Sequence, residues 1–340
     1  MRGAVSARVI LLLLVLAWFG LLAFSLTVGR YPISLSNLSA ILLEPVTHTA
    51  AQAGDIEKTV VWTVRMPRIL VASLAGGGLA VAGAVLQGVF RNPLIGPHII
   101  GVSTGATVGG ALSILLGWGA VGLLASAFGS GMLSLLLVYA VTRTLPRANT
   151  LGVVLAGVVL SGFFAALVSL IQYVADSEEK LPVIVYWLMG SFATATYAKL
   201  ALLAAPTLVA TALMVLLAWR INILSLGDEE AKALHVNTNT LRWVLLAAVA
   251  IVVSAQVAVS GSIGWVGLVV PHAARILTGP DHRRLLPVSF MMGAVFMVCM
   301  DNAARSLSGS EIPLSILTAI IGAPVFLFLL RRSQNRGWSG

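Results

Sequence analysis

The sequence predicts an all-α integral membrane protein, with about ten transmembrane helices in a single domain over residues 1–340. Three observations carry that expectation. Apolar residues make up 59% of the chain, against roughly 45–50% in soluble domains, and only 10% of residues are charged. Mean hydropathy is +0.99. The apolar residues also gather into ten runs, at approximately 9–28, 69–90, 96–117, 119–141, 150–174, 200–220, 242–258, 262–279, 285–304 and 313–330, most close to the ~20 residues that cross a hydrocarbon core.

The first run follows Arg2 and Arg8 and at first resembles a secretory signal. No small-residue cleavage site follows, and the run continues through Phe24, Leu26 and Val28, so it reads as the first span. An even number of spans puts both termini on one side. With that side inside, 14 of the 21 Lys and Arg residues fall in inner segments and 7 in outer ones. The positive-inside rule therefore predicts a multi-pass protein of the inner (cytoplasmic) membrane with both termini and the 224–242 loop cytoplasmic.

Two outer segments exceed simple turns. Residues 29–67 are rich in Ser, Thr, Ala and Gln and have the length for a short surface helix. Residues 176–199 begin with Asp176, Glu178 and Glu179 and continue into an amphipathic stretch from Val183 to Phe192 around Trp187, which reads as an interfacial helix with aromatic anchors. Within the second run, Gly76-Gly77-Gly78 with Ala80, Ala82, Gly83 and Ala84 lets backbones approach closely, as helix association in lipid requires.

Composition also excludes classes. The single cysteine, Cys299, rules out an intrachain disulfide or a multi-cysteine metal site. His98, His272 and His282 lack partners at ligand spacing, so no metal site is expected and His272 beside Pro271 reads as structural. The net charge of +9 reflects basic loops held at a membrane face, not a nucleic-acid partner. No catalytic cluster of His, Asp, Glu or Cys stands out, so the chain is not expected to be an enzyme. Ion-coupled carriers keep ionisable residues at mid-membrane, where they are costly and functional. Here Asp301, Arg305, His272 and Arg275 all lie near span ends, which points to an external energy source. An ion-coupled secondary transporter or channel remains the alternative.

The polar stretch Leu224 to Arg242 interrupts two apolar runs. Ser225 followed by Asp228 has capping-box spacing, Asp228, Glu229 and Glu230 favour a helix N-terminus, and Asn237-Thr238-Asn239-Thr240 supplies a stop and a new N-cap. Ala231, Leu234 and the stem of Lys232 form a small apolar face. A solvated loop and a docking helix for a cytoplasmic partner both fit. Arg65 and Arg68 at a helix start fit interfacial snorkelling. Asn92-Pro93 and Gly96-Pro97 fit a turn.

Several stretches together resemble the iron-chelate, haem and cobalamin permease family of type II ABC importers. They are Arg65-Met-Pro-Arg68, Gly83-Ala-Val-Leu-Gln87, Arg91-Asn-Pro-Leu94 and Gly101-Val-Ser-Thr-Gly105-Ala106; Tyr186-Trp-Leu-Met-Gly-Ser191; Gly261-Ser-Ile-Gly-Trp-Val-Gly-Leu-Val-Val-Pro271-His272 with Arg275 and Gly279-Pro-Asp-His-Arg-Arg284; and Asp301-Asn-Ala-Ala-Arg305, Glu311-Ile-Pro313 and Thr318-Ala-Ile-Ile-Gly-Ala-Pro324. They occur in family order over residues 60–330.

The resemblance implies a type II ABC importer permease fold that works as a homodimer, with the path at the subunit interface. It implies two cytoplasmic ATPase subunits, which carry ATP and Mg, and an external or periplasmic binding protein that delivers an iron chelate (siderophore or haem) or cobalamin, less often a small oxyanion. The chain itself has no Gly-x-x-x-x-Gly-Lys-Ser/Thr, so it holds no nucleotide by a P-loop and no cofactor is expected on it. By resemblance Gly227, Asp228, Glu229, Glu230, Ala231, Lys232, Leu234 and His235 form the ATPase-coupling helix. His235 departs from the glycine usual there, which matters because glycine adopts left-handed backbone without strain. Arg65, Arg68 and Arg305 are assigned to binding-protein docking, and Asn92 and Pro93 are a candidate gate.

Overall fold

The computed structural model describes residues 6–29, 31–47, 54–144 and 150–334. Arg2, Arg30, Arg147 and Arg336, which count toward the charge asymmetry, lie outside those residues.

The described residues are helical almost throughout, and eight segments are long and apolar enough to cross a membrane. They are α1 (Ala7–Thr27), the continuous run of α3 (Asp55–Thr59), a π-helical turn (Val60–Arg65) and α4 (Met66–Val89), then α6 (Gly119–Thr144), α7 (Thr150–Val174), α9 (Tyr197–Leu216), α12 (Thr238–Ser260), α14 (His282–Ser306) and α15 (Leu314–Gln334). The segment 29–67 contains the expected surface helix, α2 (Leu35–Thr47).

Two of the ten apolar runs are not full spans. Run 96–117 is a bent segment followed by α5 (Val102–Leu116, 15 residues), and run 262–279 is a bend followed by α13 (Val266–Thr278, 13 residues). Backbone chemistry explains both. Pro93 and Pro97 disfavour helix before them, and Gly101 is left-handed at φ 85°; Gly261 and Trp265 are left-handed at 71° and 69°. Half-length helices at membrane depth are tolerated where protein surrounds the broken backbone.

Helix α4 is the centre of the fold, buried along almost its whole length. It packs against α14, α13, α9 and α12, while α5 pairs with α6 and α7. Lipid supplies no hydrophobic drive between helices, so this packing rests on close van der Waals approach. The small residues provide it. A Cβ on Gly76 would lie 2.1 Å from the Gly293 carbonyl oxygen, and one on Gly293 would lie 2.2 Å from that of Gly76. At the α4–α13 crossing a Cβ on Gly83 would meet the Gly267 carbonyl oxygen at 1.7 Å. Gly76→Leu is therefore expected to cut the yield of monodisperse permease several-fold; wild-type yield and melting temperature would show that α4 and α14 separate freely.

The Val183–Phe192 stretch is divided between surface and interior: Val183 and Tyr186 are exposed, as on an interfacial helix, while the other side packs into the protein. It forms α8 (Lys180–Leu188) and then dives into the protein. Ile184 and Phe192 are buried, and Trp187 fills a slot opened by Gly110, where a Cβ would come within 1.9 Å of the indole. The Met189 and Gly190 carbonyls accept from the Ser315 and Leu314 amides (3.1 and 3.0 Å), so the turn after α8 seats the start of α15. Amphipathicity alone does not distinguish a protein-facing side from a lipid-facing one. Before α8, the Asp176 carboxylate accepts from the Glu179 and Glu178 amides (2.8 and 2.9 Å), which holds it below the usual carboxylate range.

Candidate functional site

The polar stretch contains two short helices, α10 (Ala218–Leu226) and α11 (Asp228–Ala233). Ser225 lies inside α10, with its hydroxyl donating to the Asn222 carbonyl at 2.6 Å, so the Ser225–Asp228 capping box does not form. Gly227 is the N-cap of α11, at φ 150°, and the carboxylate of Glu230 folds back over it. Asp228, Glu229 and Glu230 occupy the first turn, where the exposed N–H groups favour negative charge.

His235 takes the left-handed conformation that glycine would take, at φ 57°. Its amide donates to the Lys232 carbonyl at 2.9 Å and the Val236 amide to that of Ala231 at 3.0 Å, closing the helix. Asn237 then caps α12, its side chain accepting from the Thr240 amide at 3.1 Å, as the sequence predicts.

The apolar face divides. Ala231 is fully buried, whereas Leu234 is 56% exposed and Glu229, Glu230 and Lys232 face solvent. On the inward side, Arg242 of α12 is buried and donates to both carboxylate oxygens of Asp228, at 2.9 and 3.1 Å. So α11 is clamped to a long helix on one side and offers one leucine among charges on the other.

A second clamp involves residues that sequence reading passes over. Asn222 of α10 donates to Asp281 at 2.6 Å and accepts from the His282 amide at 2.8 Å and the His282 ring Nδ1 at 2.7 Å. His282 is itself buried against Gly88, at the end of α4. This joint ties α10 to α4 and α14 together. Its sequence signal, an Asp281 N-cap before α14, is legible; its partner across 59 residues is not.

The turn after α4 carries Asn92 and Pro93. The Asn92 side chain accepts from the Leu94 amide at 2.9 Å, and Arg91 is left-handed at φ 50°. The Arg91 guanidinium reaches within 3.5 Å of where a Gly227 Cβ would stand, so this turn touches the start of α11. Beyond it, Gly96–Ile99 and Ile263–Leu268 line a hollow of about 350 Å³, with a His98 ring nitrogen 3.4 Å from the Ile263 carbonyl. His272 packs edge-on against Phe326 (5.7 Å).

At the opposite end of α4 the arginines turn inward. Arg68 is 7% exposed and makes forked bonds to Asp301 (2.8–3.1 Å) and Glu311 (2.7 and 2.9 Å). Arg305 lies 3.3 Å from Asp301 and also donates to Asn302 and to Ser25, the latter at 2.9 Å. Arg65 is buried and donates to the Leu26 and Tyr31 carbonyls. All three border a hollow of about 190 Å³ with Glu311 at its edge. The structure thus brings the sequence-predicted trio together but gives each guanidinium partners within the chain. The sequence signal for these partners was the scarcity of charge: a carboxylate at a span end needs a cation beside it.

The comparisons with known proteins agree with this architecture. The FecCD transport family matches residues 12–332. The molybdate import system permease protein MolB of Haemophilus influenzae is 47% identical over 313 residues, 92% of either chain. The hemin transport system permease protein HmuU of Yersinia pestis is 35% identical over 343 residues, 99% of either chain. A solved metal-chelate type ABC transporter, in an inward-facing conformation, superimposes with a TM-score of 0.87 at 46% identity, covering 96% of this chain and 99% of that one. With spans, broken helices and family motifs in agreement, the chain belongs to the FecCD transport family and is a multi-pass permease subunit of an ABC importer.

Proposed function

We propose that this chain forms the membrane path of an ATP-driven importer for a small oxyanion of the molybdate class, working as a homodimer with two ATPase subunits and a binding protein. Both termini and α11 face the cytoplasm in this reading, and the Arg68 end faces outward. The observation that carries the coupling role is the exposed Leu234 on a helix clamped from behind through Asp228 and Arg242. A short helix so held passes a push from an ATPase into α12, and the Asn222 joint passes it into α4 and α14. The likeness to a molybdate permease over nearly the whole chain supports the oxyanion reading.

The second reading is an iron chelate, haem or cobalamin, the cargo expected from the family resemblance; the hemin permease likeness along the whole chain favours it. Uptake of radiolabelled molybdate, ferric siderophore and haemin by cells expressing the complete system separates the two. Molybdate accumulation that unlabelled siderophore does not compete supports the first; chelate accumulation without molybdate uptake overturns it.

Binding-protein docking at Arg65, Arg68 and Arg305 belongs to the same proposal, with one refinement. Glu311 is the more open acid of the cluster, 25% exposed against 1% for Asp301. An acidic side chain of the binding protein reaches Arg68 by displacing it. Glu311→Gln should therefore raise binding-protein affinity several-fold at low salt and lose that gain at high salt, since rim charges act through long-range attraction. Unchanged affinity in a titration at both salts would remove Arg68 from the docking surface.

The role proposed for the Asn92–Pro93 turn is a gate moved by α11 through Arg91. Normal transport by Asn92→Ala would count against it.

A further inference from the structure

We propose that the groove between α10 and the start of α12 is a binding site for the head group of an anionic phospholipid. The groove holds about 440 Å³. Its floor is apolar, with Ile223, Leu241 and Val244; Leu234 of the proposed coupling surface stands at one wall, and the polar lining is Arg220, His235, Asn237 and Thr240, with no acidic side chain among the lining residues. It opens just past Leu216, where the α9 span ends, so it lies at head-group depth.

Trp219 marks that level. It lines the groove, is 54% exposed, and carries the Arg283 guanidinium 4.4 Å over its ring. Tryptophan concentrates at membrane interfaces because its ring is apolar and its N–H is polar. Arg220 and Arg283 are both exposed, and neither forms an ion pair among the described residues. The nearby Asp281 already bonds Asn222 and the Arg283 amide.

The chemistry selects one occupant. Guanidinium groups take a phosphodiester through paired N–H bonds, and acyl chains fit the apolar floor. A zwitterionic lipid brings the same phosphate with a cation attached, and the groove offers that cation no acid. Phosphatidylglycerol brings only the negative charge. The site stands on the membrane placement of α9 and on local charge, independently of which cargo crosses.

The test is native mass spectrometry of the permease, alone and assembled with its ATPase, after incubation with equal amounts of phosphatidylglycerol and phosphatidylcholine. The expected result is selective retention of phosphatidylglycerol in both samples. An Arg220→Gln, Arg283→Gln double variant should retain roughly thirtyfold less, given the contribution of each basic residue near an anionic surface. Val244→Trp, which fills the groove without changing charge, should also release it. Arg143→Gln removes another exposed arginine beside an aromatic ring, outside the groove, and should leave retention unchanged. Equal retention of the two lipids, full retention by either groove variant, or equal loss in Arg143→Gln would overturn the site. Release of the lipid on ATPase assembly would also overturn it, by assigning the groove to the protein partner.

Discussion

A Glu230→Arg, Leu234→Asp double variant is expected to abolish stimulated ATP hydrolysis in the assembled complex while the permease itself stays folded. Both side chains are exposed, and apart from the Glu230 carboxylate folded over Gly227 the packing of α11 depends on Ala231 and the Asp228–Arg242 pair. Exposed substitutions of this kind usually change stability by no more than about 0.5 kcal/mol, and reversing an acid in the first turn adds at most about 1 kcal/mol. Losing an apolar anchor and inverting a charge at an interface costs about 2 kcal/mol or more each. Together they weaken ATPase docking by roughly a thousandfold. Pull-down and ATPase assays on the co-expressed subunits measure this directly. Intact stimulation would place the ATPase contact elsewhere on the molecule. Leu234→Asp alone gives the smaller effect, because it leaves the acidic first turn of α11 intact.

The second large effect is expected at the other end of α4. Asp301 is fully buried between Arg68 and Arg305, and α14 and α4 are joined there by its carboxylate. Asp301→Ala leaves two guanidiniums packed together with only Glu311 to share. Breaking a buried pair from one side typically costs about 3–5 kcal/mol, because an uncompensated charge stays in low dielectric. A marked fall in melting temperature of the solubilised permease should follow. Removing both charges, as Arg68→Leu with Asp301→Leu, should cost clearly less than the two single changes combined. Additive losses would mean that the pair contributes no coupling between the helices.

Much of the architecture was legible because a membrane constrains sequence so strongly. Apolar run length located every span region, and the Gly76–Gly83 stripe pointed to close backbone approach, which the structure places at the α4–α14 and α4–α13 crossings. Run length could not reveal that α5 and α13 are half-length, since the bent chain before each is as apolar as a helix. The prolines and the left-handed Gly101 and Gly261 mark the difference, while left-handed Trp265 gives no sequence signal. The same limit applied to α8, whose apolar residues divide between the two, Ile184 buried in protein and Val183 and Tyr186 at the surface.

At the candidate coupling site, the acidic first turn and the Asn237 cap followed from sequence, whereas the Ser225 cap did not form because α10 extends through it. The Asn222–Asp281–His282 joint and the Arg68–Asp301–Glu311 network join residues far apart in the chain, and nothing local announces such pairs. These two networks matter together. One sits at each end of the α4–α14 pair, whose backbones touch at Gly76 and Gly293 midway, so a displacement at α10 has a rigid route across the membrane.

The most direct test of the importer reading is uptake into proteoliposomes holding the permease and its ATPase, with binding protein and radiolabelled molybdate outside and ATP inside. Accumulation that requires ATP and binding protein, and that disappears with the Glu230→Arg, Leu234→Asp variant, is the predicted result. Accumulation that proceeds without ATP and follows an imposed ion gradient would contradict it and establish an ion-coupled carrier.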